Sequence, residues 1–323
     1  MIENNFTQKI YKFEKKVASR QSFGEELVKL GSENSKIVAL DADLSKSTQT
    51  QHFAKEFPNR FFNMGIAEAN MIGCAAGLSR AGFIPFAASF GCFLTGRFDQ
   101  IRMSVSFSNA NVRLIGTHAG VGIGEDGHSQ MALEDLALMR SLPNMTVFQP
   151  SDDQETRNFM NWSVKHQGPC YMRLTRQGLP HYQKELMSFT EGQWNLLHKA
   201  KKTKTIFLAS ASVLESVVDA VSLLDEKTQD SISILNASWI QKCSEENFKL
   251  IESLNAERVI TVEDHYIQGG LGGLVAEKMS SLKNTSLLHR WGVEDFGQSG
   301  SPSDNYKAYK LDAEGIQERL QQI

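Results

Sequence analysis

The chain has 323 residues, 41% of them hydrophobic and 22% charged, and its 34 basic and 37 acidic residues leave a formal net charge of -3. That composition supplies apolar material for about two α/β cores and excludes an intrinsically disordered chain. With no long like-charge block, the sequence carries no electrostatic footprint for nucleic acid or a membrane surface.

Cys74, Cys92, Cys170 and Cys243 are scattered without a C-x-x-C pair, and the polar stretch 1–16 lacks an apolar signal segment, so a reducing cytoplasm is the expected setting. The most apolar run, 81–96, is shorter than the ~20 residues needed to span a bilayer and contains Pro85; it reads as core.

In chain order, short β-rich runs at 36–40, 83–88, 112–116, 145–148 and 171–174 predict strands. Helical spacing of apolar residues predicts helices over 22–30, 67–80, 132–140 and 154–164. The alternation predicts a doubly wound α/β domain on a parallel sheet, with ligands expected at the strand C-terminal ends. The pattern fades into a polar segment before further strands (205–209, 231–235, 258–261) alternate with helices (211–224, 245–254, 271–280). We therefore expect a first domain over 1–184, a linker over 185–202, and a smaller doubly wound domain with a mixed or parallel sheet over 203–323.

Three loop-like segments at strand ends draw the chemistry. Residues 41–50 combine acids with small hydroxyl side chains, suited either to capping a helix or to hydrogen-bonding a polar ligand. Residues 64–70 place one carboxylate, Glu68, where a strand gives way to a helix; taken alone it could simply complement the helix dipole. Residues 117–131 crowd Gly120, Gly122, Gly124 and Gly127 among His118, Glu125, Asp126 and His128, matching neither a P-loop nor a dinucleotide fingerprint. Such a loop is either a turn-rich connection or a site where backbone approaches a ligand closely.

In order and approximate spacing these segments together resemble the transketolase superfamily, specifically the pyrimidine-binding and C-terminal domains that transketolases share with 1-deoxyxylulose-5-phosphate synthases and 2-oxo acid dehydrogenase β subunits. Gly65-Ile66-Ala67-Glu68 resembles the cofactor-activating segment. The resemblance implies thiamine diphosphate as cofactor, with Glu68 held against the aminopyrimidine N1′. Phe90 and Phe93, in Ser-Phe-Gly-Cys-Phe, are similar to the aromatic wall of the pyrimidine site, with core packing as the alternative for one of them. Asp43 falls in the segment near the thiazolium. Arg20, Ser47, His118 and Arg176 correspond to positions that hold a sugar phosphate, and Asp126 to an acid that contacts a donor-sugar hydroxyl.

Two departures matter. Where transketolases carry a small pair followed by His-Gln, this sequence reads Asp126-Gly127-His128-Ser129-Gln130, so either His128 replaces the usual histidine or Gln130 supplies an amide. The Gly-Asp-Gly stretch that binds diphosphate through a divalent metal is absent, and no metal ligand is assigned to this chain. The resemblance is therefore to the C-terminal subunit of a split transketolase. It implies an N-terminal partner subunit supplying Mg²⁺ and diphosphate ligands, an α2β2 heterotetramer, and two-carbon ketol transfer between phosphorylated sugars, with Glu68, His118 and His128 as catalytic residues. Two alternatives stay open: decarboxylation of a 2-oxo acid by a β-type subunit, and a non-catalytic assembly subunit.

Overall fold

The structure, a computed structural model, describes residues 1–282 and 286–323. In chain order its strands are β1 (Tyr11–Ala18), β2 (Ile37–Asp41), β3 (Phe61–Asn63), β4 (Ile84–Phe90), β5 (Arg113–Thr117), β6 (Thr146–Phe148) and β7 (Cys170–Arg173). There follow β8 (Gly178–Tyr182), β9 (Asn195–His198), β10 (Thr205–Ala209), β11 (Ile232–Asn236), β12 (Trp239–Gln241), β13 (Arg258–Tyr266) and β14 (Leu287–Val293).

The first sheet has seven strands in the order β12-β6-β7-β5-β4-β2-β3, parallel except where β12 pairs with β6. The second has five in the order β14-β13-β10-β11-β9, parallel except at the β9 edge. The architecture is the expected α/β fold of two doubly wound units. Strands β2, β4 and β5 are buried along nearly their whole length, as strands of a covered parallel sheet are, so their apolar residues run continuously rather than alternating with exposed ones. The helix Ser19–Glu33 packs Phe23 and Leu27 onto this sheet, and Glu68–Arg80 packs Met71, Ile72 and Ala75.

Two segments refine the domain reading. Residues 185–202, expected as linker, contain β9, whose Asn195 and Leu197 are buried and which pairs antiparallel with β11. Strand β12 lies in the sequence of the second unit but completes the edge of the first sheet, with Trp239 against Phe148 and Phe159. The two units also share core. One buried cluster joins Phe90, Val121, Ile123 and Met131 of the first to Val213, Val217, Ile260 and Leu311 of the second. Burying each such aliphatic side chain contributes about 1.5–3 kcal/mol, so the domain interface is part of the folding unit. Among the described residues no helix is long and apolar enough to cross a membrane.

Candidate active site

Register brings the C-terminal ends of β2, β4, β5 and β7 side by side: Asp41 is level with Ala88, Phe90 with Thr117, and Gly116 with Arg173. The segments that leave these ends carry most of the candidate residues, as expected of a parallel sheet.

Glu68 is the first residue of the helix Glu68–Arg80, reached through a left-handed turn at Gly65 (φ 68°), and is only 5% exposed. Ser89 Oγ, at the end of β4, donates to its Oε1 at 3.2 Å. The polar chain continues across the sheet, with Thr117 Oγ1 donating to the Ser89 carbonyl at 3.3 Å and His118 Nδ1 lying 2.9 Å from Thr117 Oγ1. His118 holds a left-handed backbone (φ 57°), an uncommon conformation for a non-glycine residue and one that marks functional loops.

Phe90 is stacked on both sides. The His118 ring lies 4.0 Å from it and the Phe93 ring 5.4 Å, nearly parallel at 7°. Phe90 is buried, so it packs as core, whereas Phe93 keeps partial exposure and its ring remains available to a ligand.

Arg20 and Arg176 face His118 from the two neighbouring elements. Arg20 Nη1 donates to the Ser47 carbonyl at 2.7 Å, which fixes the hydroxyl segment 45–48 against the helix Ser19–Glu33. Arg176 Nη1 donates to the Ile123 carbonyl and lies 3.5 Å from Glu125 and 3.9 Å from Asp126. Burial, reinforced by both guanidinium charges, pushes the His118 imidazole down to about 3, and burial followed by the Arg176 charge lowers Arg20. The two guanidinium groups therefore lie close enough to each other and to the imidazole for their charges to act on one another.

The remaining candidates sit at the margins. Asp43 is exposed in a left-handed conformation (φ 66°) and accepts from Asn63 Nδ2 at 3.2 Å, linking the ends of β2 and β3. His128 Nδ1 accepts from the Gly297 N–H at 3.1 Å, with the ring edge-on to Phe296 at 4.7 Å; its contacts are thus with the second unit. The Gln130 carbonyl accepts from Cys92 Sγ, whose thiol burial pushes up to about 12. Among the described residues no group of three or more His, Cys, Asp or Glu is arranged to hold a metal ion.

Ser19, Ser89, Thr117 and Thr175 are site residues that motif reading passes over. Each lies beside a recognised residue at a strand or helix end, and that adjacency to Arg20, Phe90, His118 and Arg176 is the signal that could have found them.

Comparison with known proteins accords with this geometry. Residues 15–181 match the family model "Transketolase, pyrimidine binding domain" and residues 192–316 match "Transketolase, C-terminal domain". A Methanocaldococcus jannaschii protein described as the C-terminal section of a transketolase is 41% identical over 305 residues, covering 93% of this chain and 94% of that one. Human transketolase is 36% identical over 309 residues, covering 95% of this chain but only 49% of the human protein. Among solved structures, a split-gene transketolase in an inactive β4 tetramer superposes with a TM-score of 0.83 at 39% identity, covering 95% of this chain and 98% of that one. Pichia stipitis transketolase in complex with sedoheptulose 7-phosphate gives 0.81 at 25% identity, covering 99% of this chain and 48% of that one. The chain spans about half the length of the full transketolases it matches and nearly all of the split section. It belongs to the transketolase family, of which it carries the pyrimidine-binding and C-terminal domains.

Proposed function

We propose that this chain is the C-terminal subunit of a split, thiamine-diphosphate-dependent transketolase that moves a two-carbon ketol unit between phosphorylated sugars. The observation that carries the reading is the convergence of Arg20 and Arg176 on His118, which stacks on Phe90 and is linked by a polar chain through Thr117 and Ser89 to the buried carboxyl of Glu68.

The residues fit the pyrimidine half of the cofactor. Among the described residues Glu68 Oε2 has no hydrogen-bond partner, which leaves a carboxyl oxygen for a ring nitrogen, and Phe93 offers an aromatic face. When bound, thiamine diphosphate supplies the nucleophilic carbon and the electron sink that ketol transfer requires. The chain's own part is to hold a proton between Glu68 and N1′, with Ser89 orienting the carboxyl. The forked donors of Arg20 and Arg176 would bind the sugar phosphate, with Ser47 beside them. His118 would contact the same ligand beside the two arginines, Asp126 would take a donor hydroxyl, and Asp43 would lie toward the thiazolium. His128, through its free Nε2–H edge, is the candidate for the place usually held by the family's histidine.

The diphosphate and Mg²⁺ ligands are assigned to an N-terminal partner subunit in an α2β2 assembly within the cytoplasm. Ile66, two residues before Glu68, is 87% exposed, an apolar side chain at the mouth of the site that a partner would cover.

The test is cofactor binding and ketol transfer from xylulose 5-phosphate to ribose 5-phosphate, in Mg²⁺, with and without the partner chain. Transfer only in the mixture is expected. Carbon dioxide release from a 2-oxo acid would move the assignment to a decarboxylating β-type subunit, and unchanged function in Glu68→Ala would leave an assembly role.

A further inference from the structure

The second unit reaches into the first at one point of the candidate site. Asp264, near the end of β13, is buried and has both oxygens engaged: Oδ1 accepts from the Val121 N–H at 2.7 Å and Oδ2 from the Tyr306 hydroxyl at 2.7 Å. Asn305, also buried, donates through Nδ2 to the Val121 carbonyl at 3.1 Å. A single residue of the glycine-rich loop thus has its N–H and its C=O both held by side chains of the other domain.

The approach is close enough to constrain the sequence of the loop. Gly120 has φ 85°, and a Cβ built there would stand 2.1 Å from Asp264 Oδ2. Val121 and Ile123, which follow it, are buried in the shared core. Further along, Ser299 Oγ donates to the Glu125 carbonyl and the Gly297 N–H to His128. Arg173 buttresses the clamp from below by donating to the Asp264 carbonyl at 2.7 Å.

We propose that Asp264 and Asn305 are positioning residues for the transfer reaction: by fixing Val121 they set the segment that carries His118 on one side and Asp126 on the other. This rests on the reading of the cleft as a sugar-phosphate site. The second domain is then a working part of the active site as well as a packing partner. Apolar contact alone would join the domains; a buried carboxylate is costly unless its hydrogen bonds are met, and here they are met by one loop N–H and one hydroxyl, which fixes a geometry.

The test has two arms. In the chain alone, amide hydrogen exchange of the peptide covering 118–126 is compared for wild type, Asp264→Ala, Asp264→Asn and Tyr306→Phe. In the two-chain holoenzyme, KM for a phosphorylated ketose is compared with kcat. Asp264→Ala should speed exchange in 118–126 selectively and raise KM about tenfold or more with a smaller change in kcat, and Asp264→Asn, which still accepts from Val121, should restore most of both. Should Asp264→Ala fail to fold, Tyr306→Phe removes only one donor and should shift both readings in the same direction by less. Unchanged exchange in 118–126, uniform loosening of the chain, or a loosened loop with KM unmoved would each overturn the proposal. The exchange arm needs no turnover, so an inactive wild-type mixture would count against the transketolase reading, while exchange would still decide whether Asp264 fixes the segment 118–126.

Discussion

Ser19 and Thr175 are bonded to each other across the cleft: the Thr175 N–H donates to Ser19 Oγ at 2.9 Å, and the two hydroxyl oxygens lie 3.3 Å apart. Each immediately precedes an arginine of the candidate phosphate site, so this small buried pair sets the spacing of Arg20 and Arg176 by tying a helix N-terminus to the end of β7. Ser19→Ala removes the acceptor and should cost about 1 kcal/mol of arginine placement. The expected result is a rise of about fivefold in KM for a phosphorylated donor with kcat little changed. A fall in kcat at constant KM would contradict this account.

Among the described residues Glu68 has one side-chain hydrogen-bond partner, Ser89, and one oxygen without one, so its removal should cost chemistry more than structure. For Glu68→Gln we expect ketol transfer to fall by about 10²–10⁴. Melting temperature and co-purification with the partner chain should be unaltered. A variant that loses activity only because it no longer assembles would show Glu68 to be structural.

The His118 imidazole, pushed down to about 3 by burial first and by Arg20 and Arg176 second, should stay neutral in the free chain throughout pH 5–8. Arg176→Gln removes the smaller contribution, so the midpoint should rise and yet remain below the ordinary value near ~6.5. Histidine NMR reads this directly. Because the folded value lies below the unfolded one, His118 destabilises the fold only as pH falls below ~6.5, where the unfolded chain binds the proton first. A midpoint near ~6.5 in wild type would mean that the cleft is open to water and the cations are not packed against the ring.

Much of this architecture could be read from sequence because buried parallel strands are continuous apolar runs. The predicted 112–116 and 205–209 lie within a residue of β5 and β10, and the predicted helix 67–80 within a residue of Glu68–Arg80. The misses have physical causes. Strand β1, Tyr11–Ala18, is largely exposed and reads Tyr-Lys-Phe-Glu-Lys-Lys-Val-Ala, with no apolar period strong enough to announce pairing with β8. The predicted 258–261 stops short of Glu263, Asp264 and His265, through which β13 continues, because three ionisable residues in a row break the apolar pattern that marks a strand. They are buried in a strand because tertiary partners meet each: the N–H groups of Leu271 and Gly272 for Glu263, Val121 for Asp264, and Ala137 for His265. At the site, motif residues were legible singly, but the Ser19–Thr175 and Ser89–Thr117 links depend on strand register and could not be read along the chain.

Ile66 (87% exposed) and Phe107 (82%) leave apolar surface in water beside the helix Glu68–Arg80, against which the segment Ile101–Phe107 packs. If a partner chain covers the mouth of the site, Ile66→Lys should weaken assembly by at least about tenfold while leaving the isolated chain's melting temperature within about a degree, since an exposed substitution barely alters the fold. Size-exclusion or titration of the two chains measures it. Equal assembly of wild type and variant would place the partner elsewhere.

Two buried carboxyl groups should control how stability depends on pH. Burial, with the Asp152 charge second, pushes Glu155 up to about 7, and burial pushes Glu263 up to about 7 against the hydrogen bonds from Leu271 and Gly272. In both, the folded value lies above the unfolded one, so the folded chain retains protons that the unfolded chain has released. Their favourable contribution is complete below ~4.3 and is lost as pH rises through about 7. His118 and His265, pushed down to about 3 and about 4, act in the opposite direction, but only below ~6.5. From about pH 6.5 the two histidines no longer oppose them, and the melting temperature should fall until both acids are ionised in the folded chain, just above about pH 7. Glu155→Gln separates this effect from packing. Glu155 accepts from Ser151 N at 2.8 Å, Ser238 Oγ at 2.7 Å and Asn236 Nδ2, so an amide nitrogen in its place leaves one of those donors unmet at every pH. That penalty is constant, whereas the wild-type carboxyl loses up to about 1.4 kcal/mol of stability per pH unit between ~4.3 and about 7, where the unfolded chain has released the proton that the folded chain still holds. The stability gap between wild type and variant should therefore narrow steadily between about pH 4.5 and 7 in denaturant melts and level off above that, and a gap that stays constant across that range would show that Glu155 is ionised and well solvated within the fold.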